Sequence, residues 1–334
     1  MQVYVIVRKE KEIFRQSIQN EIDIFEKNFR ELLSDRDAPV QFLLDYLSAQ
    51  QGGRLRPGLL LLSAGLSGGI TEESRSLACM VELLHTASLI HDDIVDDAQM
   101  RRHVESVNAV FDNKLAVLLG DYLLTKVLDI ASRIGKSEIW PLLSDTVSRL
   151  TRGEMLQLSH WSDLELAEAD YFRFLEWKTA SLMELSCRLG ALSAGASAQL
   201  QESCGQWGSR FGIFFQLKDD LKDFAETTDG KERYSDLRQG VVTLPVIYAM
   251  QRIPMDEQLD FRRNYHAFGK SAEAMEALAE QIRKCGALEQ AAVRLGQMQQ
   301  ELQQQLETFP DNAYRRDLQQ LIEETGDLRL LDIK

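Results

Sequence analysis

The segment LLHTASLIHDDIVDD, residues 83–97, contains the most informative pattern in the sequence. Its first half is apolar with helical character, and its second half reads DDxxD. Residues four positions apart share one face of an α-helix, so Asp92 and Asp96 point in the same direction. Like charges at this spacing repel each other, and the cluster itself contains no basic residue. A divalent cation that neutralises both carboxylates explains the arrangement.

The same pattern recurs in FGIFFQLKDDLKDF, residues 211–224. Here Asp219 and Asp223 stand four positions apart, again after an apolar run of helical character. One DDxxD match is weak evidence, but two copies arise by chance in roughly one of a hundred chains of this composition. Hard oxygen ligands suit Mg²⁺ better than Zn²⁺. We therefore predict Mg²⁺ binding; two solvated acidic helix faces are the alternative.

Helical periodicity extends over much of the chain. Apolar residues repeat at steps of three and four over residues 14–32 and 288–306. Convincing alternating strands are absent, and Pro245 makes residues 241–250 a better helix start than a central strand. No linker or composition shift divides the 334 residues, although their number allows two domains. The sequence thus predicts an all-α protein in which residues 1–334 form a single large helical domain.

The composition excludes several classes of protein. The formal net charge of −14 argues against a nucleic-acid partner, because phosphate binding needs Lys and Arg. The apolar start, residues 1–7, is too short for a signal peptide. Later apolar runs, such as residues 58–66, fall far below the roughly 18 residues that a spanning helix requires. We expect a cytoplasmic protein with no transmembrane segment.

Basic residues near the first motif fit diphosphate recognition. Arg101 and Arg102 follow it closely, and GGRLRP, residues 52–57, precedes it. Arginine forks beside metal-binding carboxylates suit diphosphate oxygens, although surface ion pairing is the commoner role of such residues. His85 lies seven residues before Asp92, two helical turns away on the same face, where a core histidine is the alternative.

Taken in order, these segments resemble the trans-isoprenyl diphosphate synthases, and the long-chain polyprenyl branch most of all. The resemblance covers about residues 45–250, and C-terminal helices continue to about residue 330. It rests on GGRLRP (52–57), HTASLIHDDIVDDAQMRR (85–102), VNAVFDNKLAVLLGDYLL (107–124), GEMLQL (153–158), KTASL (178–182), FFQLKDDLKDF (214–224), and DGK, DLRQG and TLP within 229–245.

The resemblance implies the isoprenoid synthase fold, with helices around a deep central cavity, and a homodimer. It implies condensation of an allylic diphosphate with isopentenyl diphosphate to an all-trans polyprenyl diphosphate, with three Mg²⁺ ions bound. The metal ligands that it implies are Asp92, Asp93, Asp96, Asp219 and Asp223. The catalytic residues that it implies are Asp92, Asp96, Asp219 and Lys178. It places the allylic diphosphate on Arg101 and Lys178, and isopentenyl diphosphate on Arg56, His85 and Arg102. It also places the allylic cation beside Thr179 and Gln216, and Lys231 beside the second motif.

Product length in this family depends on the side chains beneath the first motif. Ala87 and Ser88, about one turn before Asp92, are small where farnesyl-length enzymes usually carry a bulky aromatic residue. Leu84 lies one turn further, and Leu128 stands where some long-chain relatives carry Phe. We expect an open tunnel and a product longer than C20; close helix packing is the alternative reason for the small residues.

The chain departs from the family's pattern at three positions. Gly53 and Val241 stand where relatives carry Lys, and Tyr234 stands where they usually carry glycine. A lost charge-assisted contact costs about 1.5–3 kcal/mol, so we expect weak isopentenyl diphosphate binding. The alternatives are a non-catalytic or partner-dependent subunit of a heteromeric synthase, and a geranylgeranyl- or farnesyl-length synthase. A terpene cyclase fits less well, because it usually has one DDxxD motif.

Overall fold

The computed structural model describes residues 17–49, 52–101, 104–225, 233–267 and 271–327. Within these ranges nearly all regular structure is α-helical, which confirms the predicted fold class. The helices are α1 (Gln19–Leu32), α2 (Ala38–Ala49), α3 (Leu55–Ser67), α4 (Glu72–Val95), α5 (Val107–Phe111), α6 (Asn113–Ile134), α7 (Ile139–Ser159), α8 (Glu168–Leu175), α9 (Ser181–Ser193), α10 (Ala198–Lys222), α11 (Ser235–Gln239), α12 (Leu244–Arg252), α13 (Met255–His266), α14 (Ala272–Lys284), α15 (Ala287–Glu307) and α16 (Ala313–Thr325).

Two short elements interrupt the helices. A two-residue antiparallel pair, β1 (Met100–Arg101) and β2 (Val104–Glu105), follows α4. A turn of π-helix, Glu176–Ala180, lies between α8 and α9. None of the described helices combines the length and the apolarity that crossing a membrane requires.

The chain divides into two compact units. Unit 1 consists of Met1–Asp145, Leu182–Gly208 and Phe309–Leu318. Unit 2 consists of Thr146–Ser181, Ser209–Thr308 and Gln319–Lys334. In unit 1, α4 packs against α1, α3 and α6. In unit 2, α12 packs against α8, α14 and α15. The single domain expected over residues 1–334 stays a prediction.

Helix α4 carries the first aspartate motif and begins at a strong local signal. Thr71 and Ser74 form a capping box in which each side chain accepts a hydrogen bond from the other's backbone N–H, at 3.1 Å in both directions. Glu72 and Glu73 occupy the first turn, where acidic side chains complement the helix dipole. The sequence therefore fixes where this helix begins, and its length carries the chain to the aspartates.

The periodicities read from the sequence correspond to buried helix faces. In α1, Ile22, Phe25 and Phe29 are buried, whereas Phe14, which began the pattern, lies outside the described residues. In α15 all six predicted positions are buried: Leu288, Ala291, Leu295, Met298, Leu302 and Leu306. Pro245 lies in the first turn of α12, which confirms the helical reading of that segment.

Gly190 allows two helices of unit 1 to approach closely. A Cβ added at Gly190 in α9 would lie 2.2 Å from the Leu60 carbonyl oxygen and 3.1 Å from the Ala64 nitrogen, both backbone atoms of α3. We expect Gly190→Ala to lower the free energy of unfolding by about 1–3 kcal/mol, because the backbones must separate. The control is Gly296→Ala in α15, where an added Cβ meets nothing within 4 Å. This variant should gain up to about 1 kcal/mol from helix propensity. Urea unfolding measures both, and equal effects would contradict the prediction.

Candidate functional site

One face of α4 carries the predicted residues of the first motif. His85, Ser88 and Asp92 are each half-buried, and Asp96 is exposed just after the helix ends at Val95. The Asp96 N–H donates to the Asp92 carbonyl at 2.8 Å, so the four-residue helical spacing persists although the helix ends one residue earlier. The structure therefore places these side chains in one row, as the sequence predicts.

Both aspartate motifs lie at the carboxyl ends of helices. The first occupies the end of α4, and the second occupies the end of α10, with Asp219 in its last turn and Asp223 one residue beyond it. The negative end of a helix dipole disfavours carboxylates and favours cations. Each motif therefore adds negative charge where the backbone already contributes it, which suits hard cation binding.

Arg56 and His85 lie together in unit 1. Arg56 follows the start of α3, and its Nη1 lies 2.9 Å from Nε2 of His85 on α4. Both were predicted to hold isopentenyl diphosphate. Arg102, the third member of this predicted set, lies outside the described residues.

Arg54, two residues earlier, stabilises the fold. It is paired with Glu26 at 2.9 Å and with Glu82 at 2.6 Å, and its guanidinium lies over the Phe25 and Phe29 rings. Arg54 thus serves the fold, whereas Arg56 contacts the predicted site residue His85.

Arg101 supplies the positive charge that the first motif lacks in sequence. Its Nε donates to both carboxylate oxygens of Asp93 at 2.8 Å, and its Nη2 lies 2.6 Å from Oδ1. Asp93 is buried, with 5% of its side chain exposed. The sequence assigned Asp93 to a metal and Arg101 to a diphosphate. The structure pairs these two residues with each other, because β1 returns the chain toward the end of α4.

Loss of Arg101 should leave a buried carboxylate without its cation. We expect Arg101→Met to lower the free energy of unfolding by about 2–3 kcal/mol, and Asp93→Asn in the same chain to restore part of it. The control is Arg133→Met, which breaks an exposed pair with Asp129 and should cost less than about 0.5 kcal/mol. Urea unfolding of the variants and the double mutant measures the coupling, and a zero coupling energy would contradict the pairing.

The four predicted chain-length residues have different environments. Ala87 is fully buried and Leu84 is 3% exposed. Ser88 is half-buried on the row with Asp92, and its hydroxyl donates to the His85 carbonyl at 2.9 Å. The Leu128 side chain on α6 is 51% exposed. Of the two small residues, Ser88 is therefore the one that lies on the same face of α4 as Asp92.

Lys178 in unit 2 is held by two residues of α7. Its Nζ lies 2.5 Å from Oε2 of Glu154 and donates to Oε1 of Gln157 at 2.7 Å. A Cβ at Gly153 would lie 2.7 Å from the Lys178 backbone nitrogen, so glycine allows α7 to approach the π-helical turn. Single π-helical turns within α-helices are frequent at functional sites. The GEMLQL segment, residues 153–158, thus positions Lys178.

Thr179 and Gln216, both predicted beside the allylic cation, contact each other. The Thr179 hydroxyl donates to Oε1 of Gln216 at 3.2 Å, and Nε2 of Gln216 donates to Asp220 at 3.0 Å. Asp220 also accepts a hydrogen bond from the Tyr171 hydroxyl at 2.6 Å. Burial raises the pKa of Asp220 to about 7, and neighbouring Asp219 adds to this, whereas the Tyr171 and Gln216 hydrogen bonds oppose it. The Asp220 contact orients the Gln216 amide so that its oxygen faces Thr179.

Asp223, a predicted metal ligand, is engaged by the backbone that follows the motif. Its Oδ1 accepts hydrogen bonds at 2.9 Å from both the N–H and the hydroxyl of Ser235, and its Oδ2 accepts one at 3.0 Å from the Asp236 N–H. Lys231, predicted to flank this motif, lies outside the described residues.

The donor chemistry of both motifs fits Mg²⁺. All donors are carboxylate oxygens, which this ion prefers. Within the described ranges, no group of three or more His, Cys, Asp or Glu side chains converges as a complete metal site. Mg²⁺ usually keeps several waters and binds substrate phosphates through one or two carboxylates, so such a site does not require a protein cage.

Sequence reasoning missed the residues that support the site. These are Glu154, Gln157, Tyr171 and Asp220. Glu154 and Gln157 carried a signal, since positions three apart on a helix share a face. Tyr171 carried none, because its partner lies 49 residues away.

Comparisons with known proteins show which family this chain belongs to. The polyprenyl synthetase family model matches residues 38–282. Heptaprenyl diphosphate synthase component 2 of Bacillus subtilis (strain 168) is 32% identical over 305 residues, covering 90% of this chain and 86% of that protein. Octaprenyl diphosphate synthase of Escherichia coli (strain K12) is 31% identical over 292 residues, covering 86% of this chain and 90% of that protein.

A solved structure shows the same fold. A decaprenyl diphosphate synthase from Rhodobacter capsulatus aligns with a TM-score of 0.89 and 28% identity, covering 95% of this chain and 98% of that one. This likeness confirms the isoprenoid synthase fold. With a family model that spans most of its length and relatives above 30% identity, the chain belongs to the polyprenyl synthetase family.

Proposed function

We propose that this chain is a Mg²⁺-dependent trans-prenyltransferase that condenses an allylic diphosphate with isopentenyl diphosphate. The observation that carries this proposal is that two DDxxD motifs each end a helix, where the helix dipole adds to the carboxylate charge. The relatives named octaprenyl, heptaprenyl and decaprenyl diphosphate synthase support an all-trans product longer than C20.

The first motif has the chemistry to bind diphosphate through cations. Mg²⁺ held by Asp92 and Asp96 would stabilise the negative charge that develops on the departing diphosphate. Asp219 in unit 2 offers the same kind of ligand. Asp93, also expected to be a metal ligand, holds Arg101 beside the first motif through its carboxylate. The presence of three ions, expected from the family resemblance, stays a prediction.

The Arg56–His85 pair has the chemistry of an isopentenyl diphosphate site. The guanidinium is a bidentate donor to phosphate oxygens, and its Nη1 already lies against the imidazole. The pair is on the same unit as the first motif.

Residues of unit 2 would serve the allylic substrate. Lys178 contributes a cation that Glu154 and Gln157 orient. Thr179 and Gln216 place oxygen dipoles side by side, which stabilise positive charge on carbon without supplying a nucleophile as strong as a carboxylate. Their role is therefore to orient and stabilise the allylic group.

A homodimer is part of this proposal. The start of α6 exposes large apolar side chains that are close in sequence: Leu115 at 40%, Val117 at 41% and Leu118 at 63%. Contiguous exposed apolar residues are typical of protein–protein interfaces. The cytoplasmic location stays a prediction from the sequence.

A partner-dependent subunit is the second candidate. The name of the Bacillus subtilis relative, component 2 of a heptaprenyl diphosphate synthase, favours it, as does the absence of Lys at Gly53 and Val241. A product of geranylgeranyl or farnesyl length and a terpene cyclase are further outcomes that the assay separates.

The test is incubation of the purified chain with labelled isopentenyl diphosphate, Mg²⁺ and each C5 to C20 primer, followed by sizing of the products. Elongated products beyond C20 from the chain alone support the proposal. Product only after addition of a second subunit supports the partner-dependent reading, products that stop at C15 or C20 support a short-chain synthase, and a cyclic hydrocarbon supports a cyclase.

A further inference from the structure

The second aspartate motif is followed by a segment that returns to it. The Tyr234 N–H donates to the Asp223 carbonyl at 3.1 Å, and the next two residues donate to the Asp223 carboxylate. Asp223 therefore joins the end of α10 to residues 234–236 through hydrogen bonds to its carbonyl and its carboxylate.

Tyr234 occupies this turn at a backbone conformation that favours glycine. Its φ is 60° and its ψ is 35°, in the left-handed region, and its side chain is buried. A bulky residue in this region persists only where its surroundings hold it in that conformation. Its ring centroid lies 6.0 Å from that of Phe224, the residue that follows Asp223. The contacts of Tyr234 must therefore hold this conformation.

The hydroxyl of Tyr234 is the centre of a charged cluster. It accepts hydrogen bonds from Nη2 of Arg233 at 2.6 Å and from Nη2 of Arg283 at 2.7 Å, and it donates to the Glu276 carboxylate at 3.1 Å. Arg283 also pairs with Glu276 at 3.2 Å. Arg283 and Glu276 both belong to α14, so the cluster fastens Tyr234 to a helix outside the motif.

Arg283 contacts both the segment that leaves the second motif and the segment that returns to it. In addition to the Tyr234 hydroxyl, its Nη2 donates to the Phe224 carbonyl at 3.3 Å. One guanidinium thus holds the residue directly after Asp223 and the residue directly before Ser235. The two hydrogen bonds from this one nitrogen fix the separation of the two segments that they join.

We propose that Arg283, acting through Tyr234, is a positioning residue for the second aspartate motif. It holds residues 234–236 where they donate hydrogen bonds to Asp223. This fixes the end of α10, and so keeps Asp219, one turn earlier, in place for Mg²⁺-diphosphate. This inference rests on the proposed function, because it takes Asp219 as a ligand of the metal–diphosphate complex. Residues that orient metal ligands from behind typically change metal affinity by about 10- to 100-fold when they are replaced.

The test measures binding separately from turnover. Inorganic diphosphate is titrated into the full-length chain by calorimetry in the presence of Mg²⁺, and the Mg²⁺ concentration for half-maximal product formation is measured in parallel. Arg283→Met and Tyr234→Phe should each weaken diphosphate binding about tenfold and raise the Mg²⁺ requirement, and added Mg²⁺ should restore turnover.

Matched controls separate positioning from general stability. Arg252→Met removes a guanidinium that donates to the Cys285 carbonyl at 2.6 Å, and Tyr248→Phe removes a hydroxyl that donates to Glu168 at 3.1 Å, both in the same unit. These controls should bind diphosphate like the unaltered chain, even where their unfolding temperature falls.

Binding like the unaltered chain by folded Arg283→Met and Tyr234→Phe overturns the proposal. If Arg283→Met does not fold, Tyr234→Phe decides, because it keeps the ring and removes only the hydroxyl. If the unaltered chain binds Mg²⁺-diphosphate but forms no prenyl product, the proposed function is wrong. Diphosphate binding by the two variants then still tests the positioning role. A chain that binds no Mg²⁺-diphosphate overturns both.

Discussion

Replacing Asp92 with asparagine is expected to lower kcat/KM for chain elongation by about a thousandfold. Asp92 lies in the last turn of α4, half-buried, on the row that also carries His85. Asparagine keeps the shape of the side chain but removes the charge that binds a hard cation. Without that cation, the charge on the departing diphosphate loses its stabilisation. Initial rates over a range of Mg²⁺ concentrations measure the effect.

Asp97 offers a matched control within the same cluster. It is exposed, and its φ of 49° suits asparagine, which tolerates left-handed conformations. Asp97→Asn removes the same charge one residue after the row, which ends at Asp96, so we expect kcat/KM to change less than about threefold. An Asp92→Asn chain that elongates as fast as Asp97→Asn would show that Asp92 does not serve the reaction.

Replacing Ser88 with phenylalanine is expected to shift the product from above C20 to C20 or shorter. Ser88 lies four residues before Asp92 on the same face of α4 and is half-buried, so a larger side chain there meets the growing prenyl chain. An aromatic ring at this position would stop the prenyl chain from growing past it. Sizing the products of the labelled-substrate assay gives the distribution directly.

Two further variants distinguish a block to chain growth from a loss of stability caused by poor packing. Ala87 is fully buried, so Ala87→Phe should lower the free energy of unfolding by about 1–3 kcal/mol through overpacking, in addition to any change in product. Leu128→Phe alters a side chain that is 51% exposed and should leave stability nearly unchanged. An unchanged length distribution in folded Ser88→Phe would end the tunnel hypothesis.

Much of the fold follows from local signals. The apolar repeat over 288–306 predicted the buried face of α15 residue by residue, and Pro245 marked the first turn of α12. These signals work because helical periodicity and turn chemistry depend on residues a few positions apart. The same reasoning placed Asp92 and Asp96 on one side of the chain, since that spacing is set by the helix itself.

The ion pairs of the site did not follow from the sequence. Asp93 and Asp220 are both second in a DDxxD motif, yet one is paired with Arg101 and the other accepts hydrogen bonds from Tyr171 and Gln216. Identical positions in a motif gained different partners because each helix end is surrounded by different neighbours. Asp223 shows the same limit, because the sequence did not indicate that its oxygens accept hydrogen bonds from residues 12 and 13 positions later; its role as a metal ligand stays a prediction.

The helical segments and the spacing of the carboxylates could be predicted from local sequence, because both depend on interactions within a few turns of one helix. Long-range packing sets which carboxylate receives a cation from the protein, which one is buried among hydroxyl and amide groups, and which one closes a turn. Electrostatic and hydrogen-bond partners are chosen by distance in space, and burial sets how strongly a charge must be compensated. Tyr171 and Arg283 therefore contact residues of the second motif region from positions about 50 to 60 residues away in sequence.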